Sequence, residues 1–280
     1  SKFRMFLLTF WANTQIILGK YLNMELKMDT FIIIITTYFL IFTLRYLIFS
    51  FSGFGLISLL PANRKIQEDK KVTRMQKIRE LKHSLIAAIP TSIIISAVTY
   101  LGYLGLNMMY FDISQYGYLW FVGQIVILII LADIWFYFVH RMMHSKKIFR
   151  HTHKLHHLST DPTPFATNSV HTFEAIMDIG FLVIASFLIP LHPFALFITI
   201  TIALMWSTIA HLGYEILPRN LFFIGKYLNL PTYHNHHHKT FKYNFGFYTT
   251  ILDRVFGTLH PESDKTLKEK SLIKIFQVKL

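Results

Sequence analysis

Residues 119–139, LWFVGQIVILIILADIWFYFV, form an almost unbroken apolar run that contains one charged side chain, Asp133. A helix needs about 20 such residues to cross the hydrocarbon core of a membrane. The run therefore predicts a transmembrane helix. It ends at His140, the first residue of the motif HRMMH, so the same helix that enters the membrane also carries histidines to its end.

Other apolar runs extend this pattern along the chain. Residues 31–60 and 85–111 predict two more spans, the second interrupted by Pro90. The shorter runs 176–189 and 194–210 predict a helical hairpin that turns in PLHP, at residues 190–193. Residues 3–18 are expected to lie along the membrane interface as an amphipathic segment. The predicted fold is all-α: an integral membrane protein with about four transmembrane helices and a cytosolic, histidine-rich helical cap made of residues 140–175 and 211–280.

Composition supports a membrane protein and gives its orientation. Charged residues make up 15% of the chain, against about 25% in soluble domains. The net charge of +13 arises largely from basic residues in 61–84 and in the C-terminal tail. Because loops rich in Lys and Arg remain in the cytoplasm, 61–84 and every histidine motif are expected on the cytoplasmic face. No nucleic-acid-binding motif occurs, so nucleic acid is not an expected partner.

Three histidine motifs carry the predicted chemistry. HRMMH supplies His140 and His144, HKLHH supplies His153, His156 and His157, and HNHHH supplies His234, His237 and His238. On a helix, residues three and four apart share a face, so His236 is expected to point elsewhere. Neutral imidazole binds Fe, Zn, Cu and Ni. Eight histidines exceed the needs of one ion and indicate two ions in one site. His83, His151, His192 and His260 are interpreted as ordinary polar side chains.

Further residues are candidates around this site. His211 ends the last apolar run, one turn before Glu215, and is a candidate ninth ligand. Histidine ligands usually donate their second N–H to a carboxylate or a carbonyl. An acid inside a span is a functional candidate, and Asp133 lies two turns before His140. His171 could be a ligand, a partner of a ligand or a structural residue. The candidates for this supporting role are Asp133, His171, Glu174, Asp178, Glu215 and Asp253.

With these motifs the chain resembles the fatty acid hydroxylase/sterol desaturase superfamily, whose signature is H-x-x-x-H followed by two copies of H-x-x-H-H. HKLHHLSTDPTPFATNSVHTFEA is similar to a stretch of C-5 sterol desaturases, and KYNFGFYTTILDRVFGT is similar to the family ending N-Y-G…W-D-R-x-F-G-T. The resemblance covers about residues 133–258. It departs at Thr172, where His-Pro is common, and at Ile251 and Leu252, where Trp is common.

The resemblance implies an enzyme that uses two Fe ions and O2 to oxidise unactivated C–H bonds of a lipid. The eight motif histidines, and His211 as a candidate ninth, would hold the irons, although zinc could replace iron in isolated protein. The chain is expected to divide into three regions: an interfacial segment and membrane helices at 1–118, a di-iron domain at 119–260 and a basic tail at 261–280. No flavin or nicotinamide motif occurs, so electrons are expected from cytochrome b5, ferredoxin or an NAD(P)H-linked reductase.

Several alternatives stay open at the level of sequence. The T-P-F-A segment favours a sterol-like lipid, but a fatty acyl chain, an alkylglycerol ether or a carotenoid also fits the superfamily. Hydroxylation and desaturation share their first hydrogen abstraction and are not separated by sequence. A histidine-rich metal-binding or transport protein is the alternative from another class. Transporters, however, place ligands near the middle of the bilayer, whereas these histidines follow the ends of spans.

Overall fold

The structure is a computed structural model. It describes residues 28–67 and 72–271, apart from the side chain of residue 219, and the backbone alone for residues 2–27. The segment 3–18, predicted to lie in the membrane interface, falls outside the residues whose side chains are described.

Helices and short helical turns make up the secondary structure of the described residues, without a strand. The α-helices are α1 Lys2–Leu59, α2 Arg74–Tyr103, α3 Gly117–Met143, α4 Thr172–Leu188, α5 Pro193–Ala210, α6 Phe222–Gly225, α7 Pro231–Thr240, α8 Ile251–Val255 and α9 Ser263–Ser271. The all-α prediction is confirmed.

Four described helices are long and apolar enough to cross a membrane: Met28–Leu59 within α1, α2, α3 and α5. They agree with the four predicted spans in number and approximate position. α4 and α5 form the predicted hairpin, with α4 ending at Leu188 and α5 beginning at Pro193. Both are short because a proline follows α4 and another opens α5.

The second span differs from its prediction at both ends. α2 begins at Arg74, inside the region predicted as a basic loop, because Thr73 caps it by accepting a hydrogen bond from the Gln76 amide. It runs through Pro90 without a break and ends at Tyr103 instead of residue 111. The chain then folds back over its own end, and a Cβ at Gly102 would lie 2.4 Å from Met109 Cβ.

The membrane helices pack around one apolar core, to which α1, α2, α3, α4 and α5 contribute Phe42, Ile95, Leu128, Leu182 and Leu196. Arg45, which lies within the first span, donates hydrogen bonds to Phe197 O (2.9 Å) and Thr201 Oγ1 (2.6 Å) of α5. An intramembrane charge needs such partners, so Arg45 fastens α1 to α5.

The segment that follows HKLHH is attached to the end of this bundle. The short helical turn Pro164–Asn168 packs against α1, α2 and α5. Ser50 Oγ of α1 donates to Pro164 O at 3.1 Å, and Ser84 Oγ of α2 donates to Phe165 O at 2.8 Å. The membrane helices thereby set the position of the second histidine motif.

The cap that carries HNHHH is built on α7. Its first turn is held by Glu215, whose carboxylate accepts from the Thr232 amide and from Thr232 Oγ1. α7 packs against α5 and α9, and Leu230, Tyr233 and Leu267 form a small second core there. The division at 118 and 260 stays a prediction. The first part of the predicted basic tail is the helix α9, and residues 272–280 lie outside the described residues.

Candidate metal centre

The end of α3 delivers the first two histidines. His140 lies in the last turn of the helix and His144 caps it, its amide donating to His140 O. The two rings lie on the same side, with centroids 5.1 Å apart. The i,i+4 spacing of HRMMH therefore brings both side chains to one place, as the sequence indicates.

The motif HKLHH does not form an α-helix. It lies in a series of turns that end in the short helical segment His156–Leu158. His153 and His157 point toward the end of α3, whereas His156 points toward α5 and α7. The motif thus contributes to two different groups of histidines.

The histidines of HNHHH divide in the same way on α7. His234 and His238, one turn apart, face His211 at the end of α5, while His237 faces His157. His236 points away from all of these rings. Its Nδ1 lies 2.8 Å from Ser263 Oγ of α9, and its ring packs on His260. The prediction that His236 differs in orientation from its neighbours is confirmed.

The result is two clusters of histidines, each able to hold a metal ion. In each one the nitrogen atoms that could serve as ligands lie within 4.8 Å of one another. The five-histidine cluster consists of His140, His144, His153, His157 and His237; the four-histidine cluster consists of His156, His211, His234 and His238. All nine are buried except His144, which is half-buried.

The nitrogens that converge in the five-histidine cluster are Nε2 atoms. The Nε2 of His140 lies 2.9 Å from that of His153. The Nε2 of His157 lies 3.1 Å from that of His144 and 3.0 Å from that of His237. The five rings therefore direct their Nε2 atoms toward the same point.

The four-histidine cluster repeats this arrangement. The Nε2 of His211 lies 2.9 Å from that of His234 and 3.4 Å from that of His156. The Nε2 atoms of His234 and His238 are 3.0 Å apart. His211, the candidate ninth histidine, is thus central to this cluster.

The other ring nitrogen, Nδ1, identifies the tautomer of several of these histidines. A carbonyl oxygen can only accept a hydrogen bond, so an Nδ1 beside a carbonyl carries the proton. This holds for four rings, with the following acceptors: His140 to Phe245 O (2.9 Å), His156 to Ser169 O (3.3 Å), His211 to Ser207 O (2.7 Å) and His237 to Tyr243 O (2.7 Å).

The Nε2 of each such ring then presents a lone pair to the cluster. Lone pairs facing one another at about 3 Å repel, and a cation among them replaces that repulsion with coordination bonds. The donors are neutral nitrogens, the ligand type that iron and zinc accept. The residues of both clusters therefore fit a metal ion.

Burial keeps these rings neutral. The pKa values of His144 and His211 fall to about 3, mainly through burial and then through the charge of the nearby His156, and burial lowers the pKa of His156 to about 4. The pKa values of the buried cluster histidines of 153–157 and α7 are lowered for the same reason. Metal binding requires deprotonated imidazole, and at pH 7 the clusters already provide it.

One predicted acid contacts a cluster histidine directly. Glu174, in the first turn of α4, accepts from His153 Nδ1 at 2.5 Å, and both residues are buried. His171 instead caps α4, with its Nδ1 accepting from the Phe173 amide, and its side chain is exposed. Of these two candidates, Glu174 is therefore the partner of a cluster histidine and His171 is not.

Asp178 contacts none of the cluster histidines, and its buried Oδ1 has no partner among the described residues. Three other predicted acids support the backbone around the histidines. Asp133 accepts from the amides of residues 247–249 and from Thr249 Oγ1. Asp253 accepts from the amides of Phe245 and Gly246. Glu215 holds the start of α7. In the described structure, Asp133, Asp253 and Glu215 thus contact the main chain around the clusters and not the histidine side chains.

The loop 243–249 lies in the segment that is similar to the family ending, but sequence reasoning missed its contacts with the histidines. Its carbonyls at Tyr243 and Phe245 accept from His237 and His140, and motif spacing gives no signal for main-chain acceptors. Gly246 is required by this loop, since a Cβ there would lie 2.0 Å from Thr249 O.

Two cavities meet beside the clusters. One, of about 60 Å³, is lined by histidines of both clusters and by Glu174. The other, of about 130 Å³, is mainly apolar and lies among α1, α2, α3, α4 and α5. The residues that line both cavities are Phe136, Thr167, Asn168, Asp178, Ser207 and Phe247. The apolar cavity therefore ends next to the histidines.

Comparison with known proteins identifies the family of the chain. The sequence profile of the family described as fatty acid hydroxylase matches residues 125–258. Methylsterol monooxygenase 1 of Rattus norvegicus is 30% identical over 234 residues, which cover 81% of this chain and 79% of that protein. The chain belongs to the fatty acid hydroxylase/sterol desaturase superfamily. With its four apolar helices, this member of the superfamily is an integral membrane protein.

Two further relatives are also sterol enzymes by name. Lathosterol oxidase of Homo sapiens is 29% identical over 182 residues, 64% of this chain and 60% of that protein. A Delta(7)-sterol 5(6)-desaturase of Aspergillus fumigatus is 27% identical over 261 residues, 82% of this chain and 79% of that protein. The chain thus spans less than two thirds of the length of the human protein. No solved structure matches it.

Proposed function

We propose that this protein is a membrane-bound di-iron oxidoreductase that uses O2 and external electrons to hydroxylate or desaturate a C–H bond of a lipid. The observation that carries the proposal is the pair of buried histidine clusters whose Nε2 atoms converge at the end of an apolar cavity. Superfamily membership and the names of the relatives support it.

In this proposal each cluster holds one Fe ion. The eight motif histidines and His211 are the ligands, so that one ion has five imidazoles and the other four. Bound iron would supply the activation of O2 and the oxidation of the C–H bond. Zinc in place of iron in isolated protein would agree with the same ligands, since imidazole accepts both.

The chain itself provides orientation and exclusion of water. Glu174 fixes the ring of His153 and makes its Nε2 a stronger donor, as carboxylate partners of histidine ligands do. Main-chain carbonyls fix the rings of His140 and His237. Phe136 and Phe247, which line both cavities, shield the reacting carbon from solvent.

A sterol-like lipid is the favoured substrate. The matched relatives are named as enzymes of lathosterol, of Delta(7)-sterols and of methylsterols, and the mainly apolar lining of the cavity suits hydrocarbon. A fatty acyl chain is the second possibility within the same reaction class. Alkylglycerol ethers, carotenoids and metal transport are not favoured by these relatives.

The electron donor would dock beside His144, the half-buried histidine of the clusters. Exposed basic residues flank it in the sequence: Arg141, Lys146, Lys147, Arg150 and Lys154. Complementary charge steers association, so the donor is an acidic protein such as cytochrome b5 or ferredoxin, or an NAD(P)H-linked reductase. The basic residues also support a cytoplasmic position for this end of the bundle.

The test is an assay of lipid oxidation by purified protein that has been loaded with iron under anaerobic conditions. Lathosterol and a fatty acid are supplied in turn with O2 and a reductant, and O2 consumption and products are measured. The proposal expects oxidation of at least one lipid, its loss in His153→Ala and its retention in the matched control His236→Ala. No oxidation of any lipid with any donor, or full activity in His153→Ala, would refute it.

A further inference from the structure

One carboxylate in the wall shared by the two cavities has no assigned role. Asp178 of α4 lies one turn after Glu174 and lines both the apolar cavity and the histidine-lined cavity. Its Oδ1 is buried and has no hydrogen-bond partner among the described residues. Burying a polar group without a partner is costly, so an oxygen placed there points to a ligand that satisfies it.

The other polar groups of the apolar cavity are mostly satisfied within the protein. Thr91 Oγ1 donates to Ala87 O and Thr199 Oγ1 donates to Ala195 O, each within its own helix. Ser207 Oγ donates to Thr167 O. The second exception is Tyr248, whose hydroxyl is buried on the same cavity without a partner in the described part of the chain.

We propose that Asp178 binds a hydroxyl group of the lipid substrate, and that the Tyr248 hydroxyl is a second hydrogen-bonding group for the polar end of that lipid. This inference rests on the proposed function and narrows its substrate class to lipid alcohols. The sterols named by the relatives are members of that class.

The location of Asp178 adds a constraint on where the lipid is oxidised. Asp178 is in the wall common to both cavities, so a hydroxyl bound to it lies at the boundary between hydrocarbon and histidines. The hydrocarbon would extend past Phe42, Leu182 and Leu196. Carbons close to the hydroxyl would then face the clusters, so oxidation is expected near the alcohol and not at the far end.

The experiment compares alcohols with their matched hydrocarbons as ligands. Dissociation constants are measured for lathosterol and its 3-deoxy analogue, and for octadecanol and octadecane, with metal-loaded protein in nanodiscs and no reductant. A hydrogen bond that satisfies the buried carboxyl group should favour at least one alcohol by about tenfold. Asp178→Leu should remove the preference and Asp178→Asn should reduce it.

The matched control is Thr199→Val. It removes a hydroxyl from the wall of the same cavity, but this hydroxyl already donates a hydrogen bond within α5. This variant should keep the preference for the alcohol. Metal content is measured in every variant, because a folded Asp178 variant keeps its metal.

The outcomes separate this inference from the proposed function. If wild-type protein binds neither alcohol more tightly than its hydrocarbon, Asp178 is not a hydroxyl anchor, even where lipid oxidation stands. An equal preference in folded Asp178→Leu overturns the inference as well. If the preference is present and Asp178-dependent but no lipid is oxidised, the binding site stands and the oxidoreductase proposal fails.

Discussion

Replacement of Glu174 by Gln should weaken metal binding by the five-histidine cluster selectively. The carboxylate accepts from His153 Nδ1 at 2.5 Å, and both side chains are buried. Burial and then the neighbouring Asp178 raise the pKa of Glu174, and a cation bound to the His153 ring would favour its ionised form. Glutamine keeps the size and an oxygen that can accept, but it cannot carry that negative charge. The His153 ring would keep its orientation while its Nε2 becomes a weaker donor.

The magnitude follows from the kind of contact that is changed. Loss of the hydrogen-bonding partner of a metal ligand costs about 10- to 100-fold in metal affinity, which is about 1.4–2.8 kcal/mol. Because glutamine still accepts a hydrogen bond, Glu174→Gln should lie near tenfold. Glu174→Ala, which leaves the Nδ1 proton of His153 without this partner, should lie near 100-fold.

The assay is a chelator titration followed by metal analysis, with two ions released in separate steps. In Glu174→Gln only one ion should be released at lower chelator concentration. Glu80→Gln is the matched control, since Glu80 is equally buried but is bonded to Gln76 and Thr163. An unchanged titration in Glu174→Gln, or an equal shift of both ions, would refute the assignment of Glu174 to this cluster.

Three further predictions concern other parts of the site. His237→Ala should lose metal from the five-histidine cluster while His236→Ala keeps both ions, and equal losses by metal analysis would contradict this division. Gly246→Ala should lower the melting temperature and the metal content together, because its Cβ would lie 2.0 Å from Thr249 O; an unchanged melting temperature would contradict the loop geometry. The cluster histidines have folded-state pKa values far below 6.5, so below about pH 6.5 the unfolded chain takes up protons that the folded chain does not. The melting temperature of metal-free protein should therefore fall from pH 7.5 to pH 5.5, and a constant value would show that these rings are not buried as described.

The spans and the histidine set could be predicted because both depend on local sequence. A run of apolar residues as long as α3 has few stable places outside a membrane. On α7 the separation of His236 from His237 follows from helical geometry alone. His211 was also identifiable, since it ends the last apolar run and a neighbouring helix end had already supplied His140.

The division of the histidines into two clusters could not be predicted from the motifs. HKLHH folds into turns, so spacing did not show that His156 leaves His153 and His157 for another cluster. The role of Asp133 was also hidden. Because Asp133 lies two turns before His140, it is expected to be a direct partner of that histidine. Its carboxylate instead accepts from the amides of residues 247–249, which lie more than 100 residues away in sequence.

The start of α2 shows a third limit. Charge marked residues 61–84 as a loop outside the membrane, but charge does not end a helix, and the cap at Thr73 lets α2 begin among these basic residues. Orientation and helix boundary are separate physical questions, and the basic residues bear on the first alone.

The most direct test of the central claim is the number of irons bound per chain in wild-type protein and in two variants, one from each cluster. Iron is loaded without oxygen, unbound metal is removed, and iron is counted against protein. The account predicts two irons in the wild type, one in His153→Ala and one in His211→Ala. Fewer than two metal ions in the wild type, or loss of both ions in each variant with the fold intact, would contradict two separate histidine clusters that each hold an iron.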